Sequence, residues 1–149
     1  MSHTPKLLSL TLFSALALAA CGGGEKKEAE SPLNEDVQAV CDGSPLSTTP
    51  KLPPSFPQIE ADKLTYTKQS SVGPTEVVEG YFNGDVTEAH DEFEKELEAS
   101  GYTILFNELE APHDSEISWK GENRTGQVAM RAECSDTSKT YVHITNRPA

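Results

Sequence analysis

One segment of this 149-residue chain has a clear helical period, while the patterns before and after it are those of strands. Asp85 stands at an N-cap position and Glu88 follows three residues later, which is the pairing of a capping box. Gly101 supplies the left-handed residue on which such a helix ends. The residues that recur on one face are Val86, Ala89, His90, Phe93 and Leu97. The segment predicts one amphipathic helix of about four turns.

Six other segments have the alternation and composition of strands. Two precede the helix, at residues 64–66 and 77–82, and four follow it, at residues 102–109, 116–120, 125–134 and 140–146. The alternation predicts that the inward side chains of the last four are Ile104, Phe106, Ile117, Trp119, Val128, Met130, Ala132, Val142 and Ile144. Gly80, inside the second strand, predicts a bulge or a close approach of the helix.

The order of these elements predicts the fold class. Short connections between the last four strands favour an antiparallel meander. We therefore expect an α+β domain with an antiparallel sheet of about six strands, in the order two strands, one helix and four strands. The single amphipathic helix would pack on one face of that sheet.

The N-terminal segment, residues 1–21, indicates export. Lys6 and the amino terminus precede an apolar run at residues 7–18, which is too short to span a bilayer but suits a signal sequence. The run ends in Leu18-Ala19-Ala20-Cys21.

This segment resembles the signal peptide and lipobox of bacterial lipoproteins. The resemblance implies that residues 1–20 are removed and that Cys21 becomes an N-terminus carrying a diacylglycerol and often palmitate on its amine. Two or three acyl chains anchor a protein stably, whereas one gives marginal binding. Gly22 implies the outer membrane in a two-membrane organism, and otherwise the anchor lies in the outer face of the plasma membrane. An ordinary signal peptide with a coincidental cysteine is the competing interpretation.

Residues 21–40 predict a flexible tether between this anchor and a small domain at residues 41–149. The stretch is rich in Gly, Glu, Lys, Ser and Pro and has few large apolar side chains. The whole chain carries 24 acidic against 12 basic residues, a formal net charge of −12. Such a charge repels phosphate backbones and anionic lipid headgroups, so we expect no nucleic-acid partner and a domain held away from the membrane surface.

The two remaining cysteines, Cys41 and Cys134, predict a disulfide in an oxidising compartment. A bridge that closes so long a loop contributes roughly 4–5 kcal/mol in the chain-entropy account. A redox-active pair is the alternative, although the CxxC spacing typical of such pairs is missing.

Prolines recur through residues 44–57, so this segment is expected to be extended and to lie along the surface of the domain. Leu52, Phe56 and Ile59 offer side chains that could anchor it to the domain. Recognition of its PxxP spacings by a partner is the alternative interpretation.

One helix cannot cover both faces of the predicted sheet. The uncovered face would carry Thr65, Thr67, Glu79, Tyr81, Leu105, Gln127, Arg131, His143 and Thr145. Within it, Tyr81, Leu105, Arg131 and His143 are the candidate residues for a ligand or partner. Arg131 and His143 could bind an anionic group or form a cross-strand pair with Glu79, and a plain solvated face is the competing interpretation.

Motifs that carry catalytic chemistry are missing from the sequence: it has no nucleophile elbow, phosphate loop, dinucleotide fingerprint or HExxH. His113-Asp114-Ser115-Glu116 comes nearest to a metal site, but it lacks a third nitrogen or sulfur ligand and favours a solvated turn. We therefore assign no catalytic residue, metal ligand or cofactor. The expected function is a non-enzymatic envelope lipoprotein that binds another envelope protein, and the alternative is binding of a small molecule or lipid at the uncovered face.

Overall fold

The computed structural model describes residues 32–149, in which six antiparallel strands form one sheet with a helix on each side. In chain order the elements are α1 (Pro32–Cys41), β1 (Leu64–Val72), β2 (Thr75–Asn83), α2 (Val86–Ala99), β3 (Thr103–Glu110), β4 (Asp114–Gly121), β5 (Arg124–Arg131) and β6 (Lys139–Pro148). Across the sheet the strands run β1-β2-β6-β5-β4-β3, so β1 and β3 are its edges. The predicted α+β class and the antiparallel meander of the last four strands are confirmed.

The helix α2 begins and ends where the sequence predicts. The backbone N–H of Glu88 donates to Asp85 Oδ1 at 2.9 Å, and the N–H of Asp85 donates to Glu88 Oε2 at 3.1 Å. Gly101 has a φ of +82°, as a left-handed helix terminator requires. All five residues of the predicted inward face are buried. That face lies against β3, β4 and β5.

The core between α2 and the sheet is built around Trp119, which is fully buried as predicted. Its indole lies over Gly126, where an added Cβ would come within 2.5 Å of the ring. The rings of Phe56 and Tyr102 pack against it, with centroids 5.3 and 5.1 Å away. Since burying one large apolar side chain stabilises a fold by roughly 1.5–3 kcal/mol, this aromatic cluster contributes substantially to stability.

Two predicted core residues in the second half of the chain lie outside the core. Ile104 pairs with Trp119 and is partly buried, but the register shifts between Ile104 and Phe106, so Phe106 pairs with Ser118 on the opposite face and is 46% exposed. One extra residue in a strand moves every later side chain to the other face. Ala132 is exposed because β5 ends at Arg131.

Gly80 allows two strands to approach closely, and a bulge lies opposite it. The register of β1 shifts between Tyr66 and Lys68, beside the pair of Tyr66 with Gly80. A Cβ on Gly80 would come within 2.1 Å of the carbonyl oxygen of Thr65. The prediction of a bulge at this place is confirmed, although the extra residue is in β1 and the close neighbour is a strand.

The prediction of a flexible tether is wrong for residues 32–40, because these residues belong to the helix α1. Val40 and Cys41 are 1% exposed and pack with Tyr81 and Tyr141, on the face of the sheet opposite α2. The prediction of a single helix and of a wholly uncovered second face is therefore also wrong. The spacing of Val37, Val40 and Cys41 forms a short apolar stripe that the polar composition of the surrounding window masks.

The predicted disulfide between Cys41 and Cys134 is confirmed, with a Cα–Cα distance of 5.7 Å and a sequence separation of 93. It joins the last residue of α1 to the connection between β5 and β6. The bridge therefore fastens α1 to the sheet.

The proline-rich segment packs against its own domain, as predicted. Phe56 is 1% exposed in the main core, and Leu52 and Ile59 contact that core. Pro53 and Pro57 are buried as well, so this segment is an integral part of the domain.

The signal sequence, Cys21 and the first part of the predicted tether lie outside the described residues. Within residues 32–149, no helix has both the length and the apolar character needed to cross a membrane.

Candidate functional site

The four candidate residues of the predicted open face share one side of the sheet but form no single site. Tyr81 and Arg131 flank Tyr141 in the register, and His143 lies two residues further along β6. Leu105 is in β3, three strands away from β6 and four from β2. Because neighbouring strands lie about 4.8 Å apart, Leu105 is roughly 19 Å from the strand of Tyr81.

The central part of this face is an ion cluster around Glu79. The Tyr141 hydroxyl donates to Glu79 Oε1 at 2.6 Å, and His143 Nδ1 lies 3.6 Å from the same oxygen. Lys68 Nζ is 3.4 Å from Glu79 Oε2. Of the two interpretations left open for His143, the cross-strand pair with Glu79 is the one that the geometry shows.

The surroundings of Glu79 favour its charged form strongly. The His143 imidazole, the Tyr141 hydroxyl and the charge of Lys68 lower the pKa of Glu79 to about 2, against the opposing effect of burial. Burial and the neighbouring Glu79 raise the pKa of Tyr141 above its ordinary value. The cluster therefore links β1, β2 and β6 by charge-assisted contacts.

Arg131 is likewise occupied by neighbouring carboxylates. Its guanidinium lies 4.0 Å from Glu116 and 3.9 Å from Glu133. Tyr81 packs against α1, and Lys139 Nζ lies 4.4 Å from the centroid of its ring. These residues thus have partners within the domain, which favours a structural role for the centre of the face.

The edge strand β3 is different, because it carries three of the four large apolar side chains that are exposed among residues 35–149. Leu105 is 55% exposed, Phe106 46% and Leu109 38%, and the fourth is Val72 at the tip of the first hairpin. Phe106 pairs with Ser118 on the side away from α2, whereas Leu109 pairs with the buried Ser115 on the side of α2. The strand therefore exposes apolar surface on both faces of the sheet.

The backbone of β3 adds to this apolar surface. As the last strand, it pairs with β4 alone, so half of its amide and carbonyl groups point away from the sheet. Its C-terminal half, after the bulge, is a regular ladder from Phe106 to Glu110 and includes the exposed carboxylates of Glu108 and Glu110. The arrangement can accept a further strand, and its charge attracts basic side chains.

Two depressions on the surface differ in character: one is lined mostly by polar residues and the other mostly by apolar residues. One of about 450 Å³ lies beside Leu105, and its floor includes Ser118, Gln127 and Thr145. Another, of about 200 Å³, lies beneath the proline-rich segment and is bordered by Leu46 and Tyr66. Small-molecule sites are predominantly apolar and typically enclose about 300–1,000 Å³. The depression beside Leu105 is therefore too polar for a typical site, and the one beneath the proline-rich segment is apolar but too small.

A buried histidine joins α2 to the sheet. His90 is 6% exposed, and its Nδ1 lies 2.6 Å from Oγ of Ser115, which is 2% exposed. The Ser115 hydroxyl donates to the carbonyl of Glu108 at 2.8 Å. Because this serine is buried and its proton is bonded to the backbone, the pair does not have the arrangement of a nucleophile and its base.

The sequence places His90 and Ser115 in separate patterns and did not predict their contact. The sequence does contain a signal for this contact, because His90 is a polar residue on an otherwise apolar helix face. Such a residue needs a hydrogen-bonding partner on the strand that the helix covers. The stretch from His113 to Glu116 does not converge on one point, because Ser115 faces α2 while the neighbouring Asp114 and Glu116 face the other side.

No family model matches the chain, and no curated protein is significantly similar to it.

Proposed function

We propose that this protein is a lipid-anchored, non-enzymatic envelope lipoprotein whose domain binds an extended segment of another envelope protein along β3. The proposed localisation depends on the resemblance of Leu18-Ala19-Ala20-Cys21 to a lipobox. The proposed binding mode depends on the edge strand, where Leu105, Phe106 and Leu109 are exposed beside unpaired backbone groups. This concentration of exposed apolar side chains on one open edge is the observation that carries the proposal.

The negative charge of the β3 edge favours a partner segment with basic side chains. Glu108 and Glu110 lie on β3, and Glu116 follows on the adjacent strand, where it pairs with Glu108. A strand with alternating apolar and basic side chains would complement both the exposed leucines and these carboxylates. A second copy of the same edge would bring like charges together, so the partner is a different protein.

A small molecule or lipid is the other candidate occupant of this face. The polar character of the depression beside Leu105 does not favour it, and the exposed apolar edge has the extended form that suits a peptide segment. We therefore keep the protein partner as the proposed one.

Site-specific photo-crosslinking in living cells tests the binding mode. A photoreactive phenylalanine analogue at Phe106 is expected to crosslink one envelope protein, and mass spectrometry of the crosslink should identify a segment with alternating apolar and basic residues. The matched control places the same analogue at Val72, which is 71% exposed but lies on the first hairpin. Equal crosslinking from both positions, or a crosslinked segment without that pattern, would contradict the proposal.

The anchor has its own test. We expect Cys21→Ser to abolish incorporation of radioactive fatty acid and to release the protein from the membrane fraction. Cys41→Ser, which removes a cysteine assigned to the disulfide, is the control and should leave fatty-acid labelling intact. Unchanged membrane retention of the Cys21→Ser protein would refute the lipid anchor without affecting the binding edge.

A further inference from the structure

Three side chains on α2 place metal-binding atoms close together. The ligand atoms of His90, Asp91 and Glu94 all lie within 4.8 Å of one another. His90 and Glu94 are four residues apart and so share one face of the helix. His90 is buried, whereas Asp91 is exposed and Glu94 is partly exposed, so the cluster opens to solvent on its carboxylate side.

The hydrogen bonds of His90 determine which of its nitrogens is free. Ser115 uses its only proton on the Glu108 carbonyl, so its Oγ must accept a proton from His90 Nδ1. In the neutral ring this leaves a lone pair on Nε2, and no residue in the described part of the chain forms a hydrogen bond with that atom. Nε2 faces Glu94 Oε2 at 3.7 Å, and a cation between these two acceptors would bind to both of them.

A hydrogen bond from the sheet holds Glu94 with one carboxylate oxygen directed toward His90. Asn107 Nδ2 in β3 donates to Glu94 Oε1 at 2.5 Å, which leaves Oε2 directed toward His90. Metal ligands commonly have such supporting hydrogen bonds: the second nitrogen of a ligating histidine donates to a neighbour, and ligating carboxylates are hydrogen-bonded in turn. Both ligands here have this support from the sheet, through Ser115 and Asn107.

We infer that His90, Glu94 and Asp91 form a binding site for a divalent transition-metal ion, with zinc the best fit. One imidazole and two carboxylates suit zinc, whereas magnesium and calcium prefer oxygen ligands throughout. With bond lengths of about 2.1 Å, ligand atoms in a tetrahedral zinc site lie about 3.4 Å apart. The 3.7 Å between His90 Nε2 and Glu94 Oε2 is close to that separation. Three protein ligands leave the fourth position for water or for a group of a partner.

Calorimetric titration of the mature protein with zinc, in detergent and without a histidine tag, tests this site. Saturable binding of one ion is expected. Glu94→Gln removes a ligand charge and should weaken the affinity at least tenfold, while Glu98→Gln, an exposed carboxylate on the same helix, should leave it unchanged. Asn107→Ala removes only the support of Glu94 and should weaken binding by roughly tenfold.

Nuclear magnetic resonance of the histidine side chains provides the second readout. Zinc should shift the imidazole resonances of His90 and leave those of His143 in place. Absence of saturable binding would overturn the inference. An equal loss in Glu94→Gln and Glu98→Gln would overturn it too, because it would show diffuse attraction to an acidic helix. Unmoved His90 resonances would also overturn the inference, because zinc at this site would have to contact the imidazole.

Discussion

The two edges of the sheet differ in what protects them. Along β1, the N–H of Leu46 donates to the carbonyl of Tyr66 at 2.8 Å, and Lys51 donates to the side chains of Gln69 and Ser71. The proline-rich segment thus covers that edge. Along β3, no such segment is present in residues 32–149, and three large apolar side chains are exposed.

Among residues 32–149, the proline-rich segment thus closes one edge of the sheet, and no segment closes the other. Exposed edge strands with apolar side chains promote unwanted pairing, so natural proteins normally cover them or place charges on them. The β3 edge has a bulge and two glutamates, which limit unspecific association. It keeps its apolar side chains and its outward backbone groups, and this combination suits a selective docking edge.

The largest expected difference between the edges is in stability. Phe56→Ala, in the segment that closes the β1 side, removes a fully buried ring and should lower the free energy of unfolding by about 3–5 kcal/mol. Phe106→Ala, on the open edge, should lower it by less than about 1 kcal/mol because that ring is half exposed. Urea denaturation of both variants measures this contrast, and similar losses would show that the β3 edge is part of the core.

Removal of the disulfide is expected to cause the next largest loss of stability. The double variant Cys41→Ser/Cys134→Ser frees α1 from the half of the sheet that contains β1. It should lower the free energy of unfolding by roughly 2–4 kcal/mol, which is less than the chain-entropy value because the unfolded chain retains residual structure. Hydrogen exchange of the variant should show faster exchange in α1 while α2 remains protected. Exchange that increases equally in both helices would mean that α1 is not a separately fastened element.

The contribution of Glu79 to stability depends on pH, and its loss is expected to have a smaller effect than removal of the disulfide. Its pKa is lowered from 4.5 to about 2, so its contribution to stability is complete above pH 4.5 and is lost as the pH falls through 2. Glu79→Gln should cost about 2 kcal/mol at pH 7, allowing for partial exposure, and much less at pH 2. Glu110→Gln on the open edge should change stability by less than about 0.5 kcal/mol at either pH. Urea titrations at both pH values test this, and a pH-independent cost at Glu79 would contradict it.

The sequence predicted the elements whose signals are local. The capping box of Asp85 and Glu88, the left-handed Gly101, the buried Trp119 and the pairing of the cysteines are all confirmed. These features depend on residues a few positions apart, or on cysteine count and compartment, so no knowledge of the tertiary structure is needed to find them.

The features that decide the candidate site depend on longer-range geometry. The bulge beside Leu105 reverses the side to which Phe106 points, and alternation alone cannot reveal an inserted residue. The helix α1 is stabilised by its contacts with Tyr81 and Tyr141 and has little intrinsic signal of its own. The pairing of His90 with Ser115 likewise depends on how α2 lies over β4.

The most direct test of the docking edge is amide hydrogen exchange of the mature protein with an added peptide of alternating valine and lysine. The account predicts that protection increases in β3 and that β1, already covered, is unchanged. The effect should weaken with added salt, because Glu108 and Glu110 supply the attraction. Protection that is gained along β1, or equally along all strands, would contradict the assignment of β3 as the binding edge.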